Sequence, residues 1–309
     1  MPRQTQIPSV KLQRPPFVFM NGRITPWDEA TIHVASEAAL RAASVFEGIK
    51  GYWRHDGREF ALLALREHFD RLRRSAQLLH LPFSMSYEEF NEACASLTKK
   101  LLTNGRDLWL RTTLFAIEGH WGEGTVTDLV ITGYQLDQKR PEPIDVGIST
   151  WQRPGDAALP ARIKSTANYQ IGRLARIEGR RQGFADMVLL NPWGRVAEAS
   201  GSCVVLARDG ALITPSPTEG CLESITVEII RKLSSTLGIA FERRPVDRTE
   251  LYVADEMCLA GTLAELIPVR AVESCRLPQQ APLIERIADE FWDGVRGVRT
   301  HAAISLTPV

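Results

Sequence analysis

An α+β fold in two domains is predicted for this chain of 309 residues, and three observations carry that reading. Short apolar runs of strand length outnumber the amphipathic stretches of helical period, and the two kinds are mixed along the chain instead of alternating as steady βαβ units. The length exceeds what one hydrophobic core usually serves. A polar stretch twice broken by proline, Asp137-Gln138-Lys139-Arg140-Pro141-Glu142-Pro143, has the composition of a linker. The expected organisation is a small N-terminal domain over 1–136, a linker over 137–144 and a larger C-terminal domain over 145–309.

The elements follow in order. Phe17–Met20, Asn21-Gly22 and residues 23–25 have the pattern of a β-hairpin, since Asn-Gly suits the primed two-residue turn. Residues 60–65 form a short apolar strand. From 66 to 80 the spacing turns helical, with Phe69, Leu72, Ala76 and Leu79 on one face, and 87–102 repeats it through Phe90, Ala93, Cys94, Leu97 and Leu101 before Asn104-Gly105. Strands are expected at 111–117, 127–136 and 145–150, then a helix of roughly fifteen residues after Asn168. A β-rich meander covers 186–214 with turns at Asn191-Pro192-Trp193-Gly194 and Asp209-Gly210. Residues 224–237 are an amphipathic helix (Ile225, Ile229, Ile230, Leu233, Leu237) closed by Gly238. A strand at 257–260 runs into a turn at Gly261-Thr262, and a last helix spans about 282–295.

Composition excludes several classes. An apolar fraction of 44% with 24% charged residues is that of a soluble globular protein. The formal charge is zero, which argues against a nucleic acid or an acidic membrane as partner. The first fourteen residues lack an apolar core, so no signal peptide is expected, and no apolar run is long enough to span a membrane. Five scattered cysteines suit reduced thiols and a cytoplasmic setting. Neither they nor the six histidines fall at metal-ligand spacing, so no metal is expected. GxGxxG, Walker A and HExxH sequences are absent, which weakens hydride transfer on a nucleotide, P-loop chemistry and zinc hydrolysis.

Lysine offers a sharper lead. The chain has only seven, against a large excess of arginine. Lys99, Lys100 and Lys232 lie on polar helix faces, Lys11 in a tail and Lys139 in the linker; Lys50 and Lys164 remain, both at strand ends. A lysine becomes a nucleophile where its ammonium is destabilised, as burial can do. Lys164, between a short apolar strand and a helix in Ile163-Lys164-Ser165-Thr166-Ala167-Asn168-Tyr169, fits that need, and a solvated lysine fits the same spacing.

Six motifs occur in order: Val45-Phe46-Glu47-Gly48-Ile49; Leu65-Arg66-Glu67-His68-Phe69-Asp70-Arg71-Leu72; Lys164 with Asn168-Tyr169; Glu198-Ala199-Ser200-Gly201; Leu222-Glu223-Ser224-Ile225-Thr226; and Gly261-Thr262-Leu263-Ala264-Glu265. Together, over about 17–272, they resemble the branched-chain aminotransferase family of class IV aminotransferases, the fold type IV pyridoxal-phosphate enzymes. The resemblance implies pyridoxal 5'-phosphate as cofactor, lying between two domains and bound as a Schiff base to Lys164. It implies a homodimer or higher homo-oligomer in which the partner contributes to each site and the 136–143 region borders the pocket.

The same resemblance assigns roles. Arg66 would meet the cofactor phosphate, for which a guanidinium fork is suited; otherwise it is an exposed first-turn cation. Ile225 and Thr226 open a helix whose unpaired N–H groups favour a phosphate, though Thr226 also suits an ordinary capping position. Thr262 would add a donor, or serve as a plain turn residue. Glu198 would keep the pyridine nitrogen protonated, or be a surface glutamate of the meander. Tyr169 would hydrogen-bond the ring's phenolic oxygen, or be a half-buried aromatic. Lys164, freed by substrate, would act as general base and acid. Phe46, Gly48, Thr262 and Leu263 would line the substrate.

Two departures bear on that substrate. A family Tyr-x-Arg strand motif reads Trp109-Leu110-Arg111 here, keeping the cation and losing the hydroxyl; strand alternation places Trp109 and Arg111 on one face. Arg41 replaces another family tyrosine and could bind an acidic side chain or pair with Glu47. The leading expectation is transamination between a hydrophobic or branched-chain amino acid and a 2-oxo acid. An (R)-amine or D-amino acid transaminase, an aminodeoxychorismate-type lyase and an inactive cofactor binder remain alternatives, because function resides in the pocket more than in the fold.

Overall fold

A computed structural model describes residues 13–278 and 280–309. Along the first half run β1 (Phe17–Met20), β2 (Arg23–Pro26), α1 (Glu37–Arg41), β3 (Ser44–Trp53), β4 (Phe60–Leu63), α2 (Leu65–Leu78), α3 (Tyr87–Leu101), β5 (Arg106–His120) and β6 (Glu123–Asp137). Then come β7 (Ile144–Gln152), α4 (Tyr169–Gln182), β8 (Asp186–Leu190), β9 (Val196–Ala199), β10 (Cys203–Arg208), β11 (Ala211–Thr214) and α5 (Ile225–Thr236). The chain closes with β12 (Ala240–Arg243), β13 (Glu256–Gly261), β14 (Glu265–Val272), β15 (Cys275–Arg276), α6 (Pro282–Arg296) and β16 (Leu306–Pro308).

The chain forms two compact units. Of the described residues, one takes 13–139 together with Ile163–Ala167 and Asp293–Val309, and the other takes Arg140–Arg162 and Asn168–Trp292. Two segments from beyond Arg140 thus fold with the N-terminal residues, and one of them carries Lys164.

The N-terminal unit is built on a seven-stranded sheet in the order β16-β4-β3-β5-β6-β1-β2. Every pairing in it is antiparallel. Leu72 of α2 and Phe90 and Leu97 of α3 are buried with Ile49, Leu108, Leu110, Leu114 and Ile131 of the strands. The helices form where the sequence puts an apolar stripe at helical spacing, and α3 starts at a capping box in which Ser86 and Glu89 satisfy each other's backbone N–H. Strand β5 alternates: Leu108, Leu110 and Leu114 enter the core, while Trp109, Arg111 and Thr113 stay half-buried on the opposite face. Arg296 ends α6 and holds buried Asp107 of β5 through Nη1 at 2.8 Å and Nη2 at 2.5 Å, which ties the C-terminal segment to this unit.

The second unit carries a mixed sheet ordered β12-β11-β10-β13-β14-β7-β8-β9, with β15 paired to β14. Strands β7 and β8, β7 and β14, and β11 and β12 run parallel. Val188, Val204, Leu206, Met257 and Leu259 fill its core. Helix α4 approaches this sheet closely at Gly172, where a Cβ would stand 2.0 Å from the Ser200 carbonyl oxygen, so a side chain there is excluded.

Among the described residues no helix is long and apolar enough to cross a membrane. No cluster of metal-ligating side chains occurs among them, and the five cysteines are free thiols.

Candidate active site

In the N-terminal unit the short segment bearing Lys164 is laced to strand and helix by its backbone. Ile163 is buried in the core. Phe46 N donates to Lys164 O at 3.0 Å and Thr166 N to Ser44 O at 3.2 Å, which docks the segment beside β3. Lys164 N donates to Ser75 Oγ of α2 at 3.1 Å. The lysine's conformation is therefore set by main-chain bonds that do not involve its amine. Its Nζ lies over the Phe46 ring, 5.0 Å from the centroid, and the Arg111 guanidinium stands over the same ring at 4.0 Å.

Beneath this lies a buried ionic cluster. Glu47 of β3 accepts from Arg71 Nε at 2.6 Å on Oε1 and from Nη2 at 2.8 Å on Oε2, a bidentate pair. His68 Nδ1 lies 2.7 Å from Glu47 Oε2. Burial alone would raise the Glu47 carboxyl, but the charge and hydrogen bonds of Arg71, joined by His68, hold it well below the usual carboxylate range. Burial, opposed by Glu47, lowers the His68 imidazole below its ordinary 6.5, and the charges of Arg71 and Lys164 push the same way. His68 is thus neutral, and its Nδ1–H donates to the carboxylate, which can only accept.

These shifts fix a pH dependence. Below pH 6.5 an unfolded chain protonates His68 while the folded protein resists, so the stability this residue contributes is complete above 6.5 and drains as pH falls. Glu47 adds a second loss below its ordinary 4.5. A His68→Gln protein is expected to be less stable at pH 7.5 by about 1–2 kcal/mol, with a shallower fall in Tm between pH 6.5 and 5 than the parent. Parallel Tm profiles would contradict this.

Arg66, expected at the phosphate, stands in the first turn of α2. Its side chain is 55% exposed, pairs with Asp70 at 3.2 Å and lies over the Tyr87 ring. Five positions along a helix is a rotation of about 140°, so Arg66 and Arg71 face different ways. Arg71, from the same motif, is the buried guanidinium of this face. The sequence carried a signal for it: His68, Arg71 and Ser75 run at i, i+3 and i+7, a polar stripe flanking the apolar one through Leu65, Phe69, Leu72 and Ala76.

The exposed side of the sheet beside Lys164 carries the aromatic residues. Gly48 pairs with Arg111, Lys50 with Trp109, and Trp109 with Tyr134. The Trp109 and Tyr134 rings are 5.6 Å apart. A Cβ on Gly48 would stand 2.8 Å from Trp109 Nε1, so glycine at 48 is what admits the indole. Phe46, Gly48, Trp109 and Arg111 therefore share one face. Arg41 does not pair with Glu47: it sits 3.6 Å from Glu37 and stacks on Trp121, an indole 75% exposed.

In the second unit Glu198, on β9, has both carboxylate oxygens engaged. Leu222 N donates to Oε2 at 3.0 Å, and Arg153 Nε lies 3.2 Å from Oε1. Tyr169 begins α4, the helix that packs on Ser200, two residues past Glu198. Ile225 and buried Thr226 open α5, where Ser224 caps the helix by accepting from Val227 N at 3.3 Å. Thr262 and Leu263 lie in the tight turn between β13 and β14 that Gly261 and Glu265 close as a pair.

The sequence profile of the family "Amino-transferase class IV" matches residues 44–272, the span that holds all of the candidate site residues except Arg41. The chain belongs to the class IV aminotransferase family. The branched-chain-amino-acid aminotransferase of Salmonella typhimurium is 32% identical over 287 residues, covering 89% of this chain and 92% of that one. The crystal structure of branched-chain amino acid aminotransferase from Thermobaculum terrenum in PLP-form superposes with a TM-score of 0.86 at 33% identity, covering 95% of this chain and 98% of that one. The enzyme from Thermoproteus uzoniensis, solved with norvaline, gives 0.88 at 27% identity over 94% and 99%. This protein is a pyridoxal-phosphate-dependent aminotransferase. The donors that each unit carries, taken separately, are of the kind that cofactor takes: a lysine amine and guanidinium groups in one, and a carboxylate, a phenol, a helix N-terminus and threonine hydroxyls in the other.

Proposed function

We propose that this aminotransferase moves the amino group between hydrophobic, branched-chain amino acids and a 2-oxo acid, with Lys164 as the residue that holds the cofactor covalently. The observation that carries the reading is the shared face of Phe46, Trp109, Arg111 and Tyr134 beside Lys164: aromatic walls next to a cation suit an apolar side chain on a substrate that also bears a carboxylate. Relatives named as branched-chain aminotransferases support it.

The bound cofactor supplies an electron sink that makes the substrate Cα proton removable. In this proposal Lys164 Nζ would take that proton and later give it back, as base and then acid. Glu198 would serve the ring nitrogen, keeping it protonated, and Tyr169 would donate to the phenolic oxygen. Arg66 is the guanidinium proposed for the phosphate, and the opening turn of α5 at Ile225 and Thr226, with Thr262, offers N–H and hydroxyl donors of the kind a phosphate takes. Arg111 holds the substrate carboxylate, and Phe46, Gly48, Trp109 and Leu263 bound the apolar part. Arg41, on its exposed stack, selects among side chains at the rim.

The role given to Arg66 has a direct check. Arg66→Ala is expected to weaken pyridoxal 5'-phosphate binding by about a hundredfold or more, from loss of a charge and its hydrogen bonds. Arg66→Lys, which keeps the charge but lacks the fork, is expected to weaken it by about tenfold. Equilibrium titration of apoenzyme with the cofactor measures both, and unchanged binding in Arg66→Ala would move the phosphate elsewhere.

Paired kinetics test the substrate reading. Leucine is expected to donate, with Arg111→Ala raising KM by roughly tenfold and leaving kcat within about threefold. Trp109 in place of a tyrosine favours some tolerance of a donor without a carboxylate, so 1-phenylethylamine is expected to react slowly in the parent and equally in Arg111→Ala. If neither donates while a dicarboxylic or cationic amino acid does, the apolar-pocket reading fails and Arg41 is the residue to examine.

The active form we propose is a cytoplasmic homodimer or a higher assembly of such dimers. The N-terminal unit exposes Val34, Leu40 and Trp121, apolar side chains suited to cover by a second copy, and the free thiols suit a reducing compartment. A monomeric mass by light scattering of the active enzyme would refute the dimer.

A further inference from the structure

Arg153 follows directly after β7 and is 4% exposed. A guanidinium is seldom buried without several partners, and this one joins three segments. Its Nε lies 3.2 Å from Glu198 Oε1 and donates to Gly220 O at 3.2 Å, while Nη1 donates to Asn168 O at 2.9 Å. Its own N–H is fixed on Leu190 O at 2.8 Å, so the side chain projects from an anchored strand end.

Each segment it touches leads to a residue of the proposed site. Asn168 immediately precedes Tyr169 at the start of α4. Gly220 begins the turn whose Leu222 N–H, at 3.0 Å, holds the other oxygen of Glu198 and which continues into Ile225 and Thr226. With Leu222 N on Oε2 and Arg153 on Oε1, the plane of the Glu198 carboxylate is fixed from both sides. Remove Arg153 and Oε1 loses its charged partner, and the start of α4 loses its tether to the carboxylate.

We propose that Arg153 is a positioning residue that acts through Glu198, orienting the carboxylate toward the cofactor's ring nitrogen and setting its spacing from Tyr169. The proposal rests on the assignment of Glu198 to the ring nitrogen. An arginine that merely stitches loops together would destabilise the fold when replaced, whatever stands at 198. One that acts through Glu198 loses its effect once the carboxylate is gone.

A double-mutant cycle separates the two. The proteins are the parent, Arg153→Gln, Glu198→Gln and the double variant. Each is read by equilibrium binding of pyridoxal 5'-phosphate to the apoenzyme, by the position and pH profile of the bound cofactor's visible band, and by the single-turnover rate with leucine. Arg153→Gln is expected to weaken cofactor binding and slow the half-reaction by about tenfold each in the parent, and by less than about twofold in the Glu198→Gln background. Equal losses in both backgrounds, with Glu198→Gln itself impaired, would overturn the role of Arg153 and leave Glu198 in place. If Glu198→Gln matches the parent in all three readouts, the assignment of Glu198 fails instead. Should Arg153→Gln not fold by circular dichroism, Arg153→Lys replaces it: its single ammonium keeps the charge but lacks the fork. The expectation is then a loss of about threefold, again abolished by Glu198→Gln.

Discussion

Replacing Lys164 with alanine is expected to lower turnover by about 10⁴-fold or more, because the same amine serves as covalent anchor and as proton carrier. The fold should survive the change. The segment is held by Phe46 N to Lys164 O and by Lys164 N to Ser75 Oγ, bonds that alanine keeps. Melting temperature and circular dichroism should therefore stay near those of the parent while the cofactor's visible band is lost or shifted. Residual turnover within about tenfold of the parent would remove Lys164 from the chemistry.

Glu198→Gln is expected to retain the cofactor and yet slow Cα proton removal by about a hundredfold, equivalent to about 2.7 kcal/mol of transition-state stabilisation. A neutral amide cannot balance a charge on the ring nitrogen. It still offers an oxygen to Leu222 N, so the local fold has a partner for that N–H. The measurement is the single-turnover rate with leucine and no acceptor present. A rate equal to the parent's would place the essential carboxylate elsewhere.

How much of this could be read from the chain differs by element. Helices α2, α3 and α5 and the β1–β2 hairpin declare themselves because one face of each is buried and the other solvated, so hydrophobic period and turn chemistry agree. The sequence reading places Lys50 at a strand end but gives no bounds for β3, the long strand in the middle of the N-terminal sheet. Its run Ser44–Trp53 is interrupted by Glu47, Gly48, Lys50 and Gly51, which look like exposed or turn residues. The structure buries Glu47 against Arg71 and His68, and Gly48 makes room for the indole of Trp109. Strands β12, β14 and β16 are absent from that reading; β12 is exposed for most of its length, and β16 is only three residues long.

Among site residues, one-dimensional motifs led to the helix but do not by themselves choose between its two arginines. Arg66 and Arg71 belong to the same motif, and only helical geometry separates the exposed one from the buried one. Arg153 carried no sequence signal of its own, since its partners Asn168, Glu198 and Gly220 are distant along the chain. The same holds for the segment 163–167, which packs with residues that precede it by more than eighty positions, through Ser75 and Ser44.

Everything turns on which lysine bears the cofactor. Lys164 and Lys50 are the two lysines at strand ends in the sequence, and Lys50 is buried on β3 with its Nζ 5.0 Å from the Tyr52 ring centroid. Reduction of the holoenzyme with borohydride makes the linkage permanent, and mass mapping of the resulting peptides then locates it. The expected result is one cofactor-labelled peptide, the one containing Lys164. A label on Lys50, or a reduced holoenzyme whose peptides carry none, would contradict the account.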